Sequence, residues 1–220
     1  MLIRGTNVQN SISKEQMDSR RIYEFVKRTI DIICSLIGLI VLMPILVVVA
    51  IIIKIESKGP IIFAQARVGK YGKIFKMYKF RSMVSNAEEL KEKLAKENER
   101  KGPMFKIKND PRITKVGKFI RKTSIDELPQ LVNILKGDMS IVGPRPSLQN
   151  EVKEFEDWML QRLNVRPGLT CYWQVAGRNN IEFYEWMKLD VKYVEERNSL
   201  IDIILIIKTF CVLFGDSHAS

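Results

Sequence analysis

The sequence predicts an α+β domain held to a membrane by one apolar segment near its N-terminus. Three features predict it. Ile32–Ile53 is an uncharged run of 22 residues, long enough at ~1.5 Å per residue to match a hydrocarbon core of ~30 Å. Two strand-like stretches flank a glycine-containing turn between residues 61 and 83. Beyond them, apolar residues recur at helical spacing in several short segments.

Taken in order, residues 1–21 are expected to form a polar N-terminal tail, 22–55 the membrane anchor, 56–214 the main folded domain and 215–220 a C-terminal tail. Pro44, thirteenth in the apolar run, removes a helical hydrogen bond and clashes with the preceding turn, so a kink or break is expected there. Basic residues flank the run on both sides: Arg20, Arg21, Lys27 and Arg28 before it, Lys54, Lys58 and Arg67 after it. A spanning helix concentrates Lys and Arg toward its cytoplasmic end. Two readings stay open on these residues: a kinked single-pass anchor, or a broken helix that enters one leaflet and returns to the same side.

After the breaker Gly59-Pro60, "IIFAQARVG" and "IFKMYKFRSM" read as paired strands with a basic face. "SNAEELKEKLAKENERKGP" reads as a solvated charged helix capped by Ser85 or Asn86. "NDPRITKVGKFIRKT" gives a turn and a short basic helix. "ELPQLVNILKG" has apolar Leu128, Leu131, Val132 and Leu135 at helical spacing and stops at Gly137. Residues 148–163 are expected to form one amphipathic helix, and "RPGLTCYWQVAGR" a turn, a short strand and a loop. Two helical stretches follow. The last, "LIDIILIIKTFCVLF", is too short to span and fits either core or interface.

The chain carries 36 Lys+Arg against 25 Asp+Glu, a net charge of +11, which favours a polyanionic partner. In this architecture the basic groups lie near the anionic inner leaflet, with the domain facing the cytoplasm. Tyr71, Tyr78 and Trp173 among basic residues are better explained by strand packing than by nucleic-acid stacking, so no nucleic acid is expected. Three scattered cysteines give no disulfide framework or zinc spacing. The single histidine, His218, lies outside any expected fold element, which excludes histidine-based triads and zinc sites inside the domain. Chemistry has to rest on carboxylates, Lys, Arg, Tyr, Ser or a carboxylate-bound metal.

"TSIDELPQ" places Asp126 beside Glu127. Asp126 suits an N-cap, with Pro129 in the first helical turn; Ser124 and Glu127 alternatively suit a capping box. A third reading is chemical. A carboxylate can attack phosphorus and carry an acyl phosphate, provided Mg²⁺, arginine forks or helix N-termini neutralise the target. Arg112, Arg121, Lys122 and Arg145, the last between two prolines, lie close by in sequence. They suggest a phosphate site.

The order of "GPIIFAQARVGKYGKIFKMYKFRSM" (59–83), "SIDELPQLVNILKGDMSIVGPRP" (124–146) and "VRPGLTCYWQVAGR" (165–178), behind a proline-containing apolar segment, closely resembles the bacterial sugar transferases, the monotopic phosphoglycosyl transferases. The resemblance covers about residues 22–214. It implies transfer of sugar-1-phosphate from a UDP-sugar to undecaprenyl phosphate with release of UMP. It further implies a ping-pong, Mg²⁺-dependent mechanism and a re-entrant anchor in the bacterial cytoplasmic membrane. Asp126 maps to the nucleophile and Glu127 to its partner in Mg²⁺ or proton handling. Arg145 maps to a phosphate contact; Lys79, Arg81 and Arg166 map to nucleotide or phosphate contacts. The "WQVAGR" block looks more like members using UDP-glucose or UDP-galactose than those using N-acetylated or diamino sugars. Met43 replaces a common serine before the membrane proline, and Cys171 a common glycine. Larger members carry a further multi-helix membrane domain, which is not expected in this chain. A homo-oligomer remains open. The competing class, a membrane-tethered basic binding module, explains the charge and the anchor but not the 124–146 block.

Overall fold

The computed structural model describes residues 14–87, 89–90, 107, 110–177 and 181–215. The expected charged helix over 85–103, the outer part of the N-terminal tail and the C-terminal tail lie largely or wholly outside these residues.

Helix α1 (Lys14–Glu56) begins ahead of the expected boundary at residue 22 and stays helical through Pro44. The proline sits on the exposed face, while Leu42 and Leu46 on either side face the domain. Only 11% of the helix's most apolar window is buried, at a hydropathy of 3.4, so its outer face is uncovered by the described residues. The inner face is a stripe recurring every three or four residues: Tyr23, Lys27, Asp31, Ser35, Leu39, Leu42, Leu46, Val49 and Ile53.

That stripe touches the domain at both ends. Near the start of α1, the Tyr23 hydroxyl and Lys27 Nζ donate to Asp202 at 3.0 and 2.8 Å. One turn on, Asp31 accepts from Ser140 Oγ at 3.1 Å and from the Ile141 N–H at 2.9 Å. At the other end, Val49 and Ile53 pack with Phe80 and Ile120.

Strands β1 (Ile62–Val68) and β2 (Ile74–Phe80) pair antiparallel, with Ile62 opposite Phe80 and Val68 opposite Ile74. The turn between them takes positive φ at Tyr71 and Gly72, which suits the twist of a tight hairpin. Helix α2 (Lys115–Lys122) is capped by Thr114, whose side chain accepts from the Gly117 N–H. Helix α3 (Gln130–Lys136) ends at Gly137, which is left-handed at φ 87°. Its last carbonyls, on Ile134 and Leu135, accept from Arg28 of α1 at 2.6 and 2.8 Å.

A second strand pair follows, in which β4 is the short strand expected after Pro167 and its partner β3 was not foreseen. β3 (Ser140–Val142) runs parallel to β4 (Gly168–Thr170). Gly143 and Gly168 cross so closely that a Cβ on Gly168 would lie 2.2 Å from the Gly143 nitrogen. The helix expected over 148–163 divides into α4 (Gln149–Lys153) and a 3-10 segment, Met159–Asn164. Between them Glu156 accepts from Trp158 Nε1 and the Tyr184 hydroxyl, each at 2.8 Å; these bonds stand in place of helical continuation. A short α5 (Tyr172–Val175) leads to α6 (Phe183–Glu196) and α7 (Ser199–Gly215). Helix α7 is both core and surface: Leu205 is buried, while Leu200, Ile203, Ile207 and Phe210 face outward.

Asn133, fully buried on α3, donates to the Lys76 carbonyl at 2.7 Å and accepts from the Tyr78 N–H at 2.9 Å. It is the polar tie between α3 and β2. Asn133→Ala is expected to cost about 1–3 kcal/mol and to lower Tm in detergent by roughly 2–10 °C. An unchanged melting curve would show that the tie carries no stability.

Candidate active site

The dyad's position follows from how the chain leaves α2. After Thr123, Ser124 takes the left-handed conformation at φ 56°, uncommon for a residue with a side chain. The chain then turns through a 3-10 segment, Ile125–Glu127, before Leu128, Pro129 and α3. Pro129 stands where no donor is required. Ile125 packs into the cluster formed by Val49, Ile53, Phe80 and Ile120. This geometry revises both capping expectations. Ser124 makes no capping bond, no side-chain cap precedes α3, and the Glu127 carboxylate is drawn away to two cations.

Those cations are Lys79, at the end of β2, and Arg145, in the Pro-Arg-Pro turn. Lys79 Nζ lies 2.7 Å and Arg145 Nη2 3.0 Å from the same oxygen, Glu127 Oε1. Burial alone would raise the pKa of Glu127. The adjacent Arg145 and Lys79 charges override it and hold Glu127 well below the usual carboxylate range. Asp126, buried at 7% exposure, has no hydrogen-bond partner among the described residues. Burial raises its pKa, Glu127 adds to the rise, and Lys79, Arg121 and Arg145 oppose it. Two neighbouring acids are thus pushed in opposite directions, the arrangement that separates acid–base roles. Glu127 is a fixed anion bound to cations. Asp126 is a more basic, uncommitted carboxylate, suited to attack an electrophile.

The donor set also fits Mg²⁺. Among the described residues no cluster of three or more His, Cys, Asp or Glu exists. Both basic contacts to Glu127 fall on Oε1, so Oε2 and the Asp126 carboxylate remain as oxygen donors. Mg²⁺ is ordinarily held by one or two carboxylates together with water and substrate phosphate.

The other sequence-predicted residues have different settings. Arg81 caps the end of α1, donating to Pro60 O at 2.5 Å and to Ser57 O at 2.7 Å. Arg112 is buried and forms a two-pronged pair with Asp110 at 2.9 and 2.6 Å. Arg166 donates to Gly137 O at 3.2 Å and lies 3.7 Å from Glu24, near the start of α1. None of the three contacts the dyad. Two arginines that the sequence reading did not select, Arg67 and Arg162, hold the turn that carries Arg145. Arg67 donates to Pro146 O at 3.1 Å and Arg162 to Arg145 O at 2.7 Å. Their signal was charge inside apolar surroundings: Arg67 within β1, Arg162 among Met159, Leu160 and Leu163.

With this geometry in place, comparison with known proteins is decisive. A family model described as bacterial sugar transferase matches residues 22–216. The chain belongs to the bacterial sugar transferase family. It is 49% identical over 189 residues to galactosyl transferase CpsE of Streptococcus agalactiae, covering 85% of this chain and 42% of that protein. It is 45% identical over 213 residues to undecaprenyl-phosphate galactose phosphotransferase of Salmonella typhimurium, covering 95% and 43%. The exopolysaccharide production protein ExoY of Sinorhizobium fredii is 37% identical over 187 residues, with 83% of each chain covered. The chain thus spans about two fifths of the length of CpsE and the Salmonella protein, and most of ExoY.

Because the folded-state pKa of Glu127 is depressed, its ion pairs contribute stability above the unfolded carboxylate value of about 4.3 and lose it as pH falls below that. Glu127→Gln is expected to be less stable at neutral pH and to show a shallower loss of Tm between roughly pH 5 and pH 3. An acid limb as steep as wild type would contradict the ion-pair account.

Proposed function

We propose that this family member transfers sugar-1-phosphate from a UDP-sugar to undecaprenyl phosphate, with Asp126 as a covalent nucleophile. The observation that carries the reading is the asymmetric dyad: a buried Asp126, without a hydrogen-bond partner among the described residues, beside a Glu127 held by Lys79 and Arg145. Asp126 attacks the sugar-bearing phosphorus of the UDP-sugar. The bond from that phosphorus to the bridging oxygen breaks, and UMP leaves with the electron pair. A phosphate oxygen of undecaprenyl phosphate then attacks the same phosphorus and releases the Asp126 carboxylate. The products are undecaprenyl diphosphate sugar and UMP. Lys79 and Arg145 hold Glu127 in place and set positive charge beside the reacting phosphoryl group. Mg²⁺, held by Asp126 and Glu127 with substrate phosphates, would neutralise the diphosphate's charge. The raised pKa of Asp126 makes it a stronger nucleophile once ionised, so activity is lost as pH falls through that pKa.

The membrane reading is that α1 is re-entrant, with both ends on the cytoplasmic face. Two observations support it. Basic residues flank the apolar run on both sides, and both ends of α1 pack onto one domain. A helix crossing the bilayer would carry one of those ends to the opposite side. The outward apolar residues of α7 would rest in the same interface, against anionic lipid. For the sugar we favour a hexose, galactose or glucose, since CpsE and the Salmonella protein are both named for galactose. The glycan served is of the exopolysaccharide or capsule type, as ExoY is named for exopolysaccharide production.

In detergent with labelled UDP-sugars and undecaprenyl phosphate, the nucleotide released is expected to be UMP, with UDP-galactose or UDP-glucose the best donor in a panel. Release of UDP would replace this reading with ordinary glycosyl transfer. Asp126→Asn is expected to fold and embed normally yet lose roughly 10³-fold or more in turnover; near-wild-type turnover would return Asp126 to a structural role. Tags at the two termini are expected to react only from the cytoplasmic side. Labelling from opposite sides would restore a spanning helix.

A further inference from the structure

We propose that Arg162, anchored by Asp190, is the positioning residue that aims Arg145 at substrate phosphate. The proposal rests on the reading of Arg145 as a phosphate contact. The Pro-Arg-Pro turn has its main-chain acceptors taken one after another. Pro144 O accepts from Gly168 N at 3.0 Å, Arg145 O from Arg162 at 2.7 Å, Pro146 O from Arg67 at 3.1 Å, and Ser147 O from Val68 N at 2.9 Å. Arg162 also donates to Ser147 Oγ, and Leu148 N to Glu151 at 2.7 Å. The backbone of the turn is fixed on every side. The Arg145 side chain, 31% exposed, leaves this turn toward Glu127 Oε1 at 3.0 Å, on the side where substrate phosphate would sit.

Arg162 is the central element of this clamp. Its side chain is 1% exposed, and Nη2 lies 2.6 Å from Oδ2 of a fully buried Asp190 on α6. The Phe155 and Trp186 rings face the guanidinium at 5.5 and 5.4 Å. Stability alone gives no reason for such a pair, because apolar residues of similar volume commonly serve as well. Geometry gives one. A planar fork meets Ser147 Oγ from Nη1 and both Arg145 O and Asp190 from Nη2, whereas an ammonium has to serve all three from a single nitrogen on a flexible stem. Arg162 touches no reacting atom. Its effect runs through the direction of Arg145, where a displacement of about 1 Å can cost up to about a hundredfold.

The test compares wild type, Arg145→Met, Arg162→Lys and Ser147→Ala as full-length protein in detergent. Pyrophosphate binding is measured by calorimetry in the presence of Mg²⁺, and UMP release is followed against UDP-sugar concentration. Arg162→Lys keeps a charge for Asp190 but loses the fork. It is expected to weaken pyrophosphate binding about tenfold, with a parallel rise in KM for UDP-sugar that exceeds the fall in kcat. Ser147→Ala should shift both in the same direction by a few-fold, and it carries the test if Arg162→Lys does not accumulate folded. Wild-type affinity and KM in the folded variants, with only Tm reduced, would overturn the proposal and make the clamp purely structural. So would a wild-type protein that binds pyrophosphate no better than Arg145→Met. Weakened pyrophosphate binding in the variants, with no UMP release by wild type, would uphold the clamp and reject the transfer reaction instead.

Discussion

The segment from Ile125 to Gly137 lies along the apolar helix α1, and the rest of the site depends on that contact. At one end Ile125 enters the cluster of Val49 and Ile53. In the middle Leu131 meets Gly38, where a Cβ would stand 3.3 Å from the leucine side chain. At the far end Arg28 of α1 takes the final carbonyls of α3. The dyad is therefore built on α1 itself. In water, burying Ile125, Leu131 and Ile134 would supply about 1.5–3 kcal/mol each. A helix whose outer face lies in lipid gains less from that effect, since lipid tails are as apolar as the partner. Close packing at Gly38 and the polar contacts of Lys27, Arg28 and Asp31 then carry more of the load.

From this base the charges arrange themselves in layers. Asn133 brings β2 to α3, which brings Lys79 to Glu127. Arg145 meets the same oxygen from the other side. With two cations on one carboxylate, Glu127 holds its charge at any physiological pH, and that charge helps raise the pKa of Asp126. The chemical difference between two adjacent acids comes from their neighbours and not from their types. Behind Arg145 stands a further buried pair, Arg162 and Asp190, in which burial raises the Asp190 carboxyl to about 6 against the opposing Arg162 charge.

Much of this was legible in the sequence, and the rest was hidden for definable reasons. The anchor, the first hairpin and α3 follow from local patterns, which periodicity and Gly or Pro punctuation report directly. Strand β3 is three residues long and pairs with residues 28 positions away, Ser140 with Gly168; neither feature leaves a local mark. The cap at Asp126 was the reasonable local expectation, but Ser124 in a left-handed conformation shifted the turn. Arginines were the hardest to read. Arg81, Arg112 and Arg145 look alike in sequence, yet one ends a helix, one pairs with Asp110 and one reaches Glu127. An arginine's role is set by which acceptor the fold brings near, and Glu127 lies 48 residues from Lys79 and 18 from Arg145.

The central claim is that Asp126, alone of the two acids, takes up the phosphoryl group. Its most direct test is mass spectrometry of the protein after exposure to a UDP-sugar and Mg²⁺ with no lipid acceptor. The account predicts one sugar phosphate added per chain, mapped to the peptide containing Asp126, labile to hydroxylamine and discharged by undecaprenyl phosphate. A protein that turns over with both substrates but carries no adduct, or carries it on another residue, would contradict it.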